Sequence, residues 1–398
     1  MLAFEDAQRY LADYAPPLTG TETVRLDEAA GRVLARALTA ALDMPPADNS
    51  AMDGYAVRCA DAAPGVALPV QQRCYAGQAP EALLPGQAIR LFTGSLLPDG
   101  ADAVAMQEDA EEADGMVTIS RPPLPGQHIR RRGEDVAAGA ILLEAGCVLG
   151  PGHIALLASQ GMAEVPVFPR LKVGILTSGD ELVAPGEARA PQQIYNSNGA
   201  MLAALAAGMG ARVAARRHAR DVEDELRQAF AELARECDLV LSVGGVSVGE
   251  RDLVKPVLAG LGAELDLWKV RMKPGKPVAL ARLGATPVVC LPGNPVSAYV
   301  VFALLVTPLM RRMQGRGECF PPVGQLPLAS GAQRKDCGRE DFLRVRLESD
   351  ARLHPHGRQA AGIISALPGS SGLARLPADR QLADGDRVAY YDWRHWLA

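Results

Sequence analysis

The chain has 398 residues, of which 48% are hydrophobic and 22% charged, and this length predicts about two to four domains rather than one core. A formal net charge of -5 disfavours a general binder of nucleic acid or of anionic membranes, although local basic clusters can still bind small anions. The 7 cysteines are scattered without a C-x-x-C spacing, which disfavours a disulfide framework or a zinc site. A reducing compartment, the cytoplasm, is therefore expected.

The first half of the chain predicts helical pieces that flank a β-rich insertion. Residues 1–42 predict two helices, the first with Phe4 and Leu11 on one face and the second around DEAAGRVLARAL. From Met44 to about Gln127, short alternating runs separated by PG, DG and PP turns predict strands, among them 89–92 and 116–119. The segment 151–161 then predicts a helix that returns to the N-terminal helices.

The second half predicts alternating strands and helices, followed by a β-rich tail. The predicted strands are 171–177, 211–217, 238–245, 277–283 and 286–293. The predicted helices are 198–207, 222–235, 253–261 and 295–313. Near-continuous apolar strands between amphipathic helices predict a parallel sheet covered on both faces. The apolar run 296–310, interrupted by Pro308, predicts a buried helix rather than a membrane span.

The predicted fold class is therefore multidomain α/β. It comprises a discontinuous helical domain (1–43 with 128–170), an inserted β-rich domain (44–127), a central doubly wound α/β domain (171–316) and a small β-barrel-like C-terminal domain (317–398). In doubly wound domains, ligands bind beyond the carboxyl ends of the strands. The polar motifs of the central domain follow its predicted strands, so a ligand site is expected there.

Two of these motifs combine glycine with polar side chains. In Thr177–Glu181, hydroxyls and acids such as Ser178 and Glu181 could contact phosphate and hold a divalent cation, or Ser178 or Asp180 could merely cap a short helix. In 242–252, Gly244 and Gly245 allow close approach of backbone N–H groups to an anion, or simply make a tight turn. That loop also carries Ser247 and ends at Asp252, either a helix cap or a cation ligand; it matches neither a Walker A loop nor a dinucleotide fingerprint.

Two further motifs carry cationic or helix-capping residues. In MKPGKP (272–277), Lys273 and Lys276 lie on a turn stiffened by prolines, which favours the binding of a tetrahedral oxyanion. In LPGNPVS (291–297), Asn294 is expected to cap a helix whose first turn exposes Ser297. Capping alone explains this motif, and an anion over the helix N-terminus is the functional alternative.

The β-rich insertion and its flank carry two polar strings. In 48–55, Asp53-Gly54 could be only a hairpin turn. The run Arg130-Arg131-Arg132 precedes acids, and mutual pairing or a polar cleft is expected there. No Ser/His/Asp or Cys/His triad is readable, so covalent hydrolysis has little support.

Taken in order, these strings resemble the molybdopterin molybdenumtransferase family, the molybdate-inserting enzymes related to the E domain of gephyrin. The matching strings are DNSAMDGYAV (48–57), TG (93–94), ADAVAMQE (101–108), IRRRGED (129–135), TSGDEL (177–182), SVGGVSVGERD (242–252), MKPGKP (272–277) and LPGNPVSA (291–298). Each string alone is unspecific, whereas the ordered set is specific and spans nearly the whole chain.

The resemblance implies that adenylylated molybdopterin and molybdate react to give molybdenum cofactor and AMP, assisted by Mg²⁺. It implies a homodimer whose active site lies between the α/β domain of one subunit and the β module of the other. The molybdopterin adenylyltransferase and acceptor molybdoenzymes are expected as further partners, whereas nucleic acid and membranes are not expected as partners. The discontinuous domain is expected to mediate dimerisation. The rival hypotheses are the adenylyltransferase itself and a non-catalytic scaffold.

The resemblance also assigns roles to individual positions. The catalytic positions are Asp53, Thr93, Asp135, Glu181, Asp221 and Asp252. The metal positions are Glu181 and Asp252. The substrate-binding positions that the resemblance assigns are Lys273, Lys276, Ser297 and Arg339, the last in the string that ends at Phe342. The motifs themselves, without the resemblance, add Ser178, Gly244, Gly245, Ser247 and Asn294 as expected substrate-binding residues. One departure is Ala361, where the family often has serine in a Gln-x-Ser string, so a hydroxyl contact to molybdate is missing there.

Overall fold

A computed structural model describes residues 2–245, 253–329, 338–378 and 381–398. The chain forms two compact units, and both are discontinuous in sequence. Unit 1 comprises Met1–Arg36, Ala145–Ile154 and Glu164–Ala398. Unit 2 comprises Ala37–Glu144 and Ala155–Ala163. The predicted Ser247 and Asp252 lie outside the described residues.

The helices of the described residues are α1 (Phe4–Ala12), α2 (Pro151–Ser159), α3 (Ser197–Gly208), α4 (Glu223–Glu236), α5 (Val254–Gly260), α6 (Pro295–Val301), α7 (Thr307–Met313) and α8 (Trp393–Trp396). The strands before residue 150 are β1 (Glu22–Arg25), β2 (Leu38–Thr39), β3 (Asn49–Ser50), β4 (Gly54–Val57), β5 (Ala67–Cys74), β6 (Ala88–Leu91), β7 (Ala103–Met106), β8 (Ala110–Ala113), β9 (Met116–Ile119), β10 (Ile129–Arg130) and β11 (Ile141–Leu143). The strands between 160 and 300 are β12 (Glu164–Val167), β13 (Lys172–Ser178), β14 (Leu182–Val183), β15 (Ile194–Tyr195), β16 (Arg212–Ala219), β17 (Leu239–Val243), β18 (Glu264–Lys269), β19 (Met272–Lys273), β20 (Pro277–Leu283) and β21 (Thr286–Leu291). The last strands are β22 (Gly324–Pro327), β23 (Glu340–Leu347), β24 (Leu353–Pro355), β25 (Gly372–Leu376) and β26 (Arg387–Asp392).

The central sheet of unit 1 has the strand order β16-β13-β17-β21-β20-β18. The first four strands are parallel, whereas β20 and β18 are antiparallel to their neighbours. The prediction of an all-parallel sheet is therefore wrong at this edge. The physical reason is a tight hairpin: only Gly284 and Ala285 separate β20 from β21, and Gly284 has a φ of 59°, whereas a parallel crossover needs a dozen or more residues.

Helices cover both faces of this sheet, as the sequence predicts. One face packs on α3, α1 and the long helix that begins at Pro295, and the other packs on α4 and α5. Alternate residues of β13 divide between the faces: Val173 and Ile175 contact the first layer and Leu176 the second. A β-carbon on Gly174 would lie 2.9 Å from the Cys237 sulfur, so glycine here permits α4 to pack closely on the sheet.

The second predicted N-terminal helix, DEAAGRVLARAL, is absent from the structure. The chain forms only a 3₁₀ turn at Leu26–Glu28, then reaches Gly31 with a φ of 73°, a conformation that ends a helix. Val33 and Leu34 then make antiparallel bridges with Val148 and Val167. Strand pairing with residues more than 100 positions away therefore outweighs the local helical pattern. The first helix, α1, is confirmed.

The rest of unit 1 contains a long buried helix and a second sheet. Helix α6 continues through a π-helical stretch, Phe302–Val306, into α7. The resulting helix Pro295–Met313 is long and apolar enough to cross a membrane, but 89% of its apolar window is buried in the fold, as predicted for a core helix. The second sheet has the order β19-β23-β25-β26-β22, with β24 beside β23.

Unit 2 contains a six-stranded sheet of order β7-β4-β6-β5-β9-β8, which confirms the β-rich insertion. Gly54 is not in a hairpin turn but begins β4, between β6 and β7. A β-carbon there would lie 2.0 Å from the carbonyl oxygen of Ala105. Glycine is thus required for strand packing at this position, whatever the role of Asp53 beside it.

Candidate functional site

The first corner of the site lies where the parallel strands β13 and β17 end. Ser178 ends β13 and is buried, and a β-carbon on Gly244 would lie 2.7 Å from its hydroxyl oxygen. Gly244 and Gly245 have φ values of 107° and 61°, which favour glycine. The hydroxyls of Ser178 and Ser242 are buried without a hydrogen-bond partner. Strand β14, not a helix, follows Ser178, so the helix-cap alternative is wrong.

Acidic residues gather at the same corner. A β-carbon on Gly179 would lie 2.5 Å from a carboxylate oxygen of Glu181, so this side chain folds back over the end of β13. Asp180 accepts a hydrogen bond from the backbone N–H of Asp221, at 3.2 Å, and Asp221 follows β16. Because β16 and β13 are parallel neighbours, the predicted Glu181 and Asp221 lie at one edge of the sheet.

The cationic turn that contains Lys273 and Lys276 links the two sheets of unit 1. Its first residues form β19, which pairs with β23 so that Lys273 lies opposite Asp341. The Lys273 ammonium is 3.8 Å from the Asp341 carboxylate, and its side chain is 51% exposed, so it remains accessible to a ligand. Lys276 directly precedes β20. Because β20 is antiparallel to β21, its first residues lie beside the last residues of β21, at the carboxyl edge of the sheet. Arg339 immediately precedes β23.

The cationic turn packs against the long helix. Gly275 has a φ of 107°, and a β-carbon there would lie 2.6 Å from a methyl carbon of Val301. Val301 is one turn beyond Ser297, so the turn and the first residues of α6 belong to one corner. This contact places the backbone of the cationic turn about one helical turn from the helix end that favours anions.

The N-terminus of α6 departs from the prediction in two respects. Asn294 occupies the N-cap position, but its side chain makes no capping hydrogen bond. Ser297 is only 5% exposed, so the prediction that the first turn exposes its hydroxyl is wrong. The backbone of this turn is also engaged, because the N–H of Val296 donates to the carbonyl oxygen of Ala361, at 3.2 Å.

Ala361, the position that departs from the family pattern, is thus in contact with the site through its backbone. Its loop is held by Arg344, which is fully buried and donates to the carbonyl oxygen of Arg358 at 2.8 Å. Gln359 accepts a hydrogen bond from the Arg344 backbone N–H at 3.0 Å. Burial lowers the pKa of Arg344 from its ordinary value. The loop is therefore tied to β23.

Sequence reasoning missed two residues of this corner. Asp341 was missed because its contact with Lys273 arises from strand pairing across 68 residues of sequence. Asn198, on α3, donates to the carbonyl oxygen of Gly293 at 2.7 Å, while its own side-chain oxygen is buried without a partner. Its position in the first turn of the helix, two residues after the capping Asn196, was the one local signal.

In unit 2, Asp53 and Thr93 form one hydrogen-bonded pair. The backbone N–H and the hydroxyl of Thr93 donate to the same carboxylate oxygen of Asp53, at 2.7 and 2.8 Å. These bonds, the backbone one first, lower the pKa of Asp53. The carboxylate is therefore ionised and accepts hydrogen bonds at neutral pH.

Asp135 also lies in unit 2. It lines a cavity of about 490 Å³ together with residues from 42 to 49, Arg130, Glu134 and Ser159. The neighbouring arginines are paired as expected, although with more distant acids than the adjacent ones: Arg131 with Asp48 at 2.6 Å and Arg132 with Asp43 at 2.5 Å. Asp43, Arg130, Glu134 and Asp135 give the cavity itself a charged lining.

Comparisons with known proteins cover the whole chain. Three family models match: the MoeA N-terminal region (domain I and II) at 2–161, a probable molybdopterin binding domain at 174–312, and the MoeA C-terminal region (domain IV) at 329–393. A molybdopterin molybdenumtransferase from Haemophilus influenzae is 38% identical over 404 residues and covers 100% of both chains. The chain belongs to the molybdopterin molybdenumtransferase family.

Other relatives agree with this membership. Molybdopterin molybdenumtransferase 2 of Mycobacterium tuberculosis is 37% identical and aligns over 93% of this chain and 94% of its own. The crystal structure of a molybdopterin biosynthesis moeA protein from Pyrococcus horikoshii superposes with a TM-score of 0.85 at 29% identity, covering 98% of this chain and 100% of that one. The family and the multidomain α/β fold predicted from the ordered motifs are thus confirmed, and the chain is a transferase of molybdenum cofactor biosynthesis.

Within the family fold, the predicted site residues fall into separate groups. Unit 1 gathers most of them along the carboxyl edge of its central sheet: Ser178, Glu181, Asp221, Gly244, Gly245, Lys273, Lys276, Asn294, Ser297 and Arg339. Unit 2 holds the Asp53–Thr93 pair and, in its own cavity, Asp135. Their individual roles stay predictions.

Proposed function

We propose that this chain inserts molybdate into adenylylated molybdopterin and releases AMP. The observation that carries the proposal is the corner of unit 1 where the cationic turn of Lys273 and Lys276 packs, through Gly275 and Val301, on the helix that begins at Pro295. Two cationic side chains suit a tetrahedral oxyanion, and the helix dipole adds a favourable field, although the N–H of Val296 is already bonded to Ala361. Molybdate is such an anion, and here it is a substrate.

The phosphates of the pterin substrate are assigned to the neighbouring corner. Gly244 lets the end of β17 pack closely on Ser178, and the buried hydroxyls of Ser178 and Ser242 are donors without a partner. Phosphate oxygens can satisfy such donors, because leaving them unpaired costs about 1–3 kcal/mol each. The reaction then requires cleavage of the phosphoanhydride bond that joins the phosphate of molybdopterin to AMP.

Asp53 is assigned a binding role rather than that of a proton donor. Thr93 donates twice to one of its oxygens, and these bonds stabilise the carboxylate form. An ionised carboxylate fixes a substrate by accepting hydrogen bonds from its N–H or O–H groups. Asp135 is assigned to the same substrate on the strength of the family pattern alone.

The chemistry of the acids at the edge of unit 1 fits Mg²⁺. Among the described residues, no group of three or more His, Cys, Asp and Glu side chains could hold a metal ion alone. Mg²⁺ in phosphate-handling sites needs only one or two carboxylates beside the substrate phosphates. Glu181 would provide one, with Asp252 as the second, and the ion would polarise the phosphoanhydride as a Lewis acid.

The proposal extends to the partners of the reaction. We infer a homodimer in the cytoplasm that receives its substrate from the molybdopterin adenylyltransferase and passes the product to acceptor molybdoenzymes. The adenylyltransferase is not favoured as the function of this chain, because the matches outside 174–312 fall on regions that such an enzyme would not need. A non-catalytic scaffold would not need the lysines and acids of the edge.

The test is an incubation of the purified protein with adenylylated molybdopterin, molybdate and Mg²⁺, with AMP and cofactor-bound molybdenum measured together. The proposal requires AMP release that depends on molybdate and equals the molybdenum bound. An AMP release that ignores molybdate would indicate a hydrolase. No release with intact substrate would indicate the scaffold.

A further inference from the structure

Unit 2 contains a stack of four side chains that ends in an exposed aromatic ring. The rings of Tyr75 and Phe92 are parallel, with centroids 4.5 Å apart and an interplanar angle of 7°. The Arg90 guanidinium lies 5.1 Å from the Phe92 centroid and 4.8 Å from that of Tyr55. The order is thus Tyr75, Phe92, Arg90 and Tyr55: two stacked rings, then a cationic group that lies between aromatic rings and attracts both.

The stack follows from the strand pairing. Cys74 lies opposite Leu91 in the parallel pair of β5 and β6, so Tyr75 and Phe92 are the next residues of both strands. Phe92 and Arg90 are two residues apart and share a face, and Arg90 lies opposite Tyr55 in β4. One face of the sheet therefore carries all four side chains.

The inner part of the stack is fixed by hydrogen bonds. Arg90 is only 9% exposed and donates to the side-chain oxygen of Gln107 at 2.5 Å, while its second terminal nitrogen is buried without a partner. Ser95 is fully buried; it accepts from the backbone N–H of Phe92 and donates to the carbonyl oxygen of Cys74. The platform under Tyr75 is therefore preorganised, which lowers the entropic cost of binding.

The outer ring is held in place yet open to solvent. Tyr75 is 51% exposed although one of its faces lies on Phe92. The backbone N–H of Tyr75 donates to the side-chain oxygen of Gln78. The backbone N–H of Gln78 donates in return to the carbonyl oxygen of Tyr75. Packing within unit 2 thus leaves a rigid ring with a free surface.

The Asp53–Thr93 pair adjoins this platform. Thr93 is the chain neighbour of Phe92, and both its donors bind the Asp53 carboxylate. Planar heteroaromatic rings with exocyclic amino groups offer a flat surface for stacking and donors for a carboxylate. A single exposed tyrosine needs no functional explanation, but a fixed stack next to an ionised acceptor provides both kinds of contact.

We propose that Tyr75, supported by Phe92 and Arg90, is a stacking site for a planar heteroaromatic ring, and that Asp53 orients this ring by accepting its N–H donors. This inference rests on the proposed function, whose substrate carries two such rings, a pterin and an adenine. Both are flat, nitrogen-rich rings. Separate titrations with AMP and with 6-hydroxymethylpterin distinguish the adenine from the pterin as the ring that binds.

The test measures binding without turnover, so that it is independent of molybdate insertion. AMP and 6-hydroxymethylpterin are titrated separately against the full chain, and affinity is followed by ligand-detected NMR. Stacking of one base on an aromatic side chain predicts that Tyr75→Ala weakens one probe roughly 5- to 150-fold, whereas Tyr75→Phe stays within about twofold. Tyr75→Leu keeps the bulk without the ring and should behave as Tyr75→Ala does.

The matched control is Leu84→Ala, which removes another 51%-exposed apolar side chain of the same unit and should change neither affinity. Loss of AMP affinity assigns the adenine to the platform, and loss of pterin affinity assigns the pterin. The proposal is overturned if neither probe binds the wild type, or if Tyr75→Leu binds both as the wild type does. Ring binding with no molybdate-dependent turnover would refute the proposed function and leave the platform standing.

Discussion

Replacement of Gly275 by alanine tests whether the cationic turn must pack on the long helix. The new β-carbon would lie 2.6 Å from the Val301 methyl carbon, whereas ordinary contacts begin at 3.4 Å. The turn must therefore retreat by roughly 0.8 Å. Overpacking costs about 1–3 kcal/mol, and a non-glycine residue at this φ adds about 1–3 kcal/mol of strain.

The expected result is a lower unfolding temperature together with impaired use of molybdate. A displacement of about 1 Å at a reacting group can reduce activity by about 100-fold, and Lys273 and Lys276 move with the turn. The free energy of unfolding is measured by denaturant titration, and the half-saturating molybdate concentration by AMP release at a temperature where the variant is folded.

The matched control is Gly262→Ala. Gly262 also has a positive φ, of 76°, but nothing lies within 4 Å of its added β-carbon, so only backbone strain of about 1–2 kcal/mol is expected. Its molybdate dependence should equal that of the wild type. The reasoning is refuted if Gly275→Ala is no less stable than Gly262→Ala and uses molybdate equally well.

Three further predictions concern other parts of the chain. Thr93→Val removes one of two donors to Asp53, so the pKa of that carboxyl should rise towards its ordinary value. Because the pKa is lowered in the folded state, the stability that the carboxyl contributes is present above the unfolded-state pKa and is lost as the pH falls through the folded-state pKa. NMR titration of the Asp53 carboxyl carbon measures this pKa, and an unchanged value in Thr93→Val would contradict the prediction. Gly174→Ala places a β-carbon 2.9 Å from the Cys237 sulfur and should destabilise unit 1 by about 1–3 kcal/mol. The control Gly152→Ala lies in a helix with open space around it and should stabilise the protein by about 0.5–1 kcal/mol. Equal denaturation midpoints of the two variants would count against the packing account. Burial and, next, a hydrogen bond to Asp102 raise the pKa of the Cys59 thiol to about 11. Labelling of Cys59 by a thiol reagent at pH 8 should therefore be slow, and Asp102→Asn should accelerate it. Rapid labelling of Cys59 in the wild type would be inconsistent with this environment.

The inner strands of the central sheet, β13, β17 and β21, were predictable because they are buried on both faces and therefore read as apolar runs. Strand β18 was missed although Glu264 and Asp266 alternate with apolar residues, the pattern expected of an edge strand with one exposed face. The helix expected at 27–38 shows the opposite error. Its residues are good helix formers, but pairing of Val33 and Leu34 with distant strands decides their structure.

The candidate site was predictable where a motif follows a strand and unpredictable where two distant segments meet. Lys273 and Lys276 could be read from MKPGKP, whereas the facing Asp341 comes from the pairing of β19 with β23. The stack of Tyr75 on Phe92 likewise depends on the register of β5 with β6. The backbone contact of Ala361 with Val296 also joins distant segments, and no local pattern encodes it.

The most direct test of the central claim, an oxyanion site at the carboxyl edge of the central sheet, is the molybdate dependence of AMP release in Lys276→Ala. Its control is Lys172→Ala, which removes an exposed lysine at the first residue of β13, the opposite edge of the same sheet. Loss of a charge-assisted hydrogen bond of about 1.5–3 kcal/mol should raise the half-saturating molybdate concentration about 10- to 150-fold in Lys276→Ala and leave Lys172→Ala unchanged. An unaltered molybdate dependence in a folded Lys276→Ala protein, or an equal loss in both variants, would contradict the account.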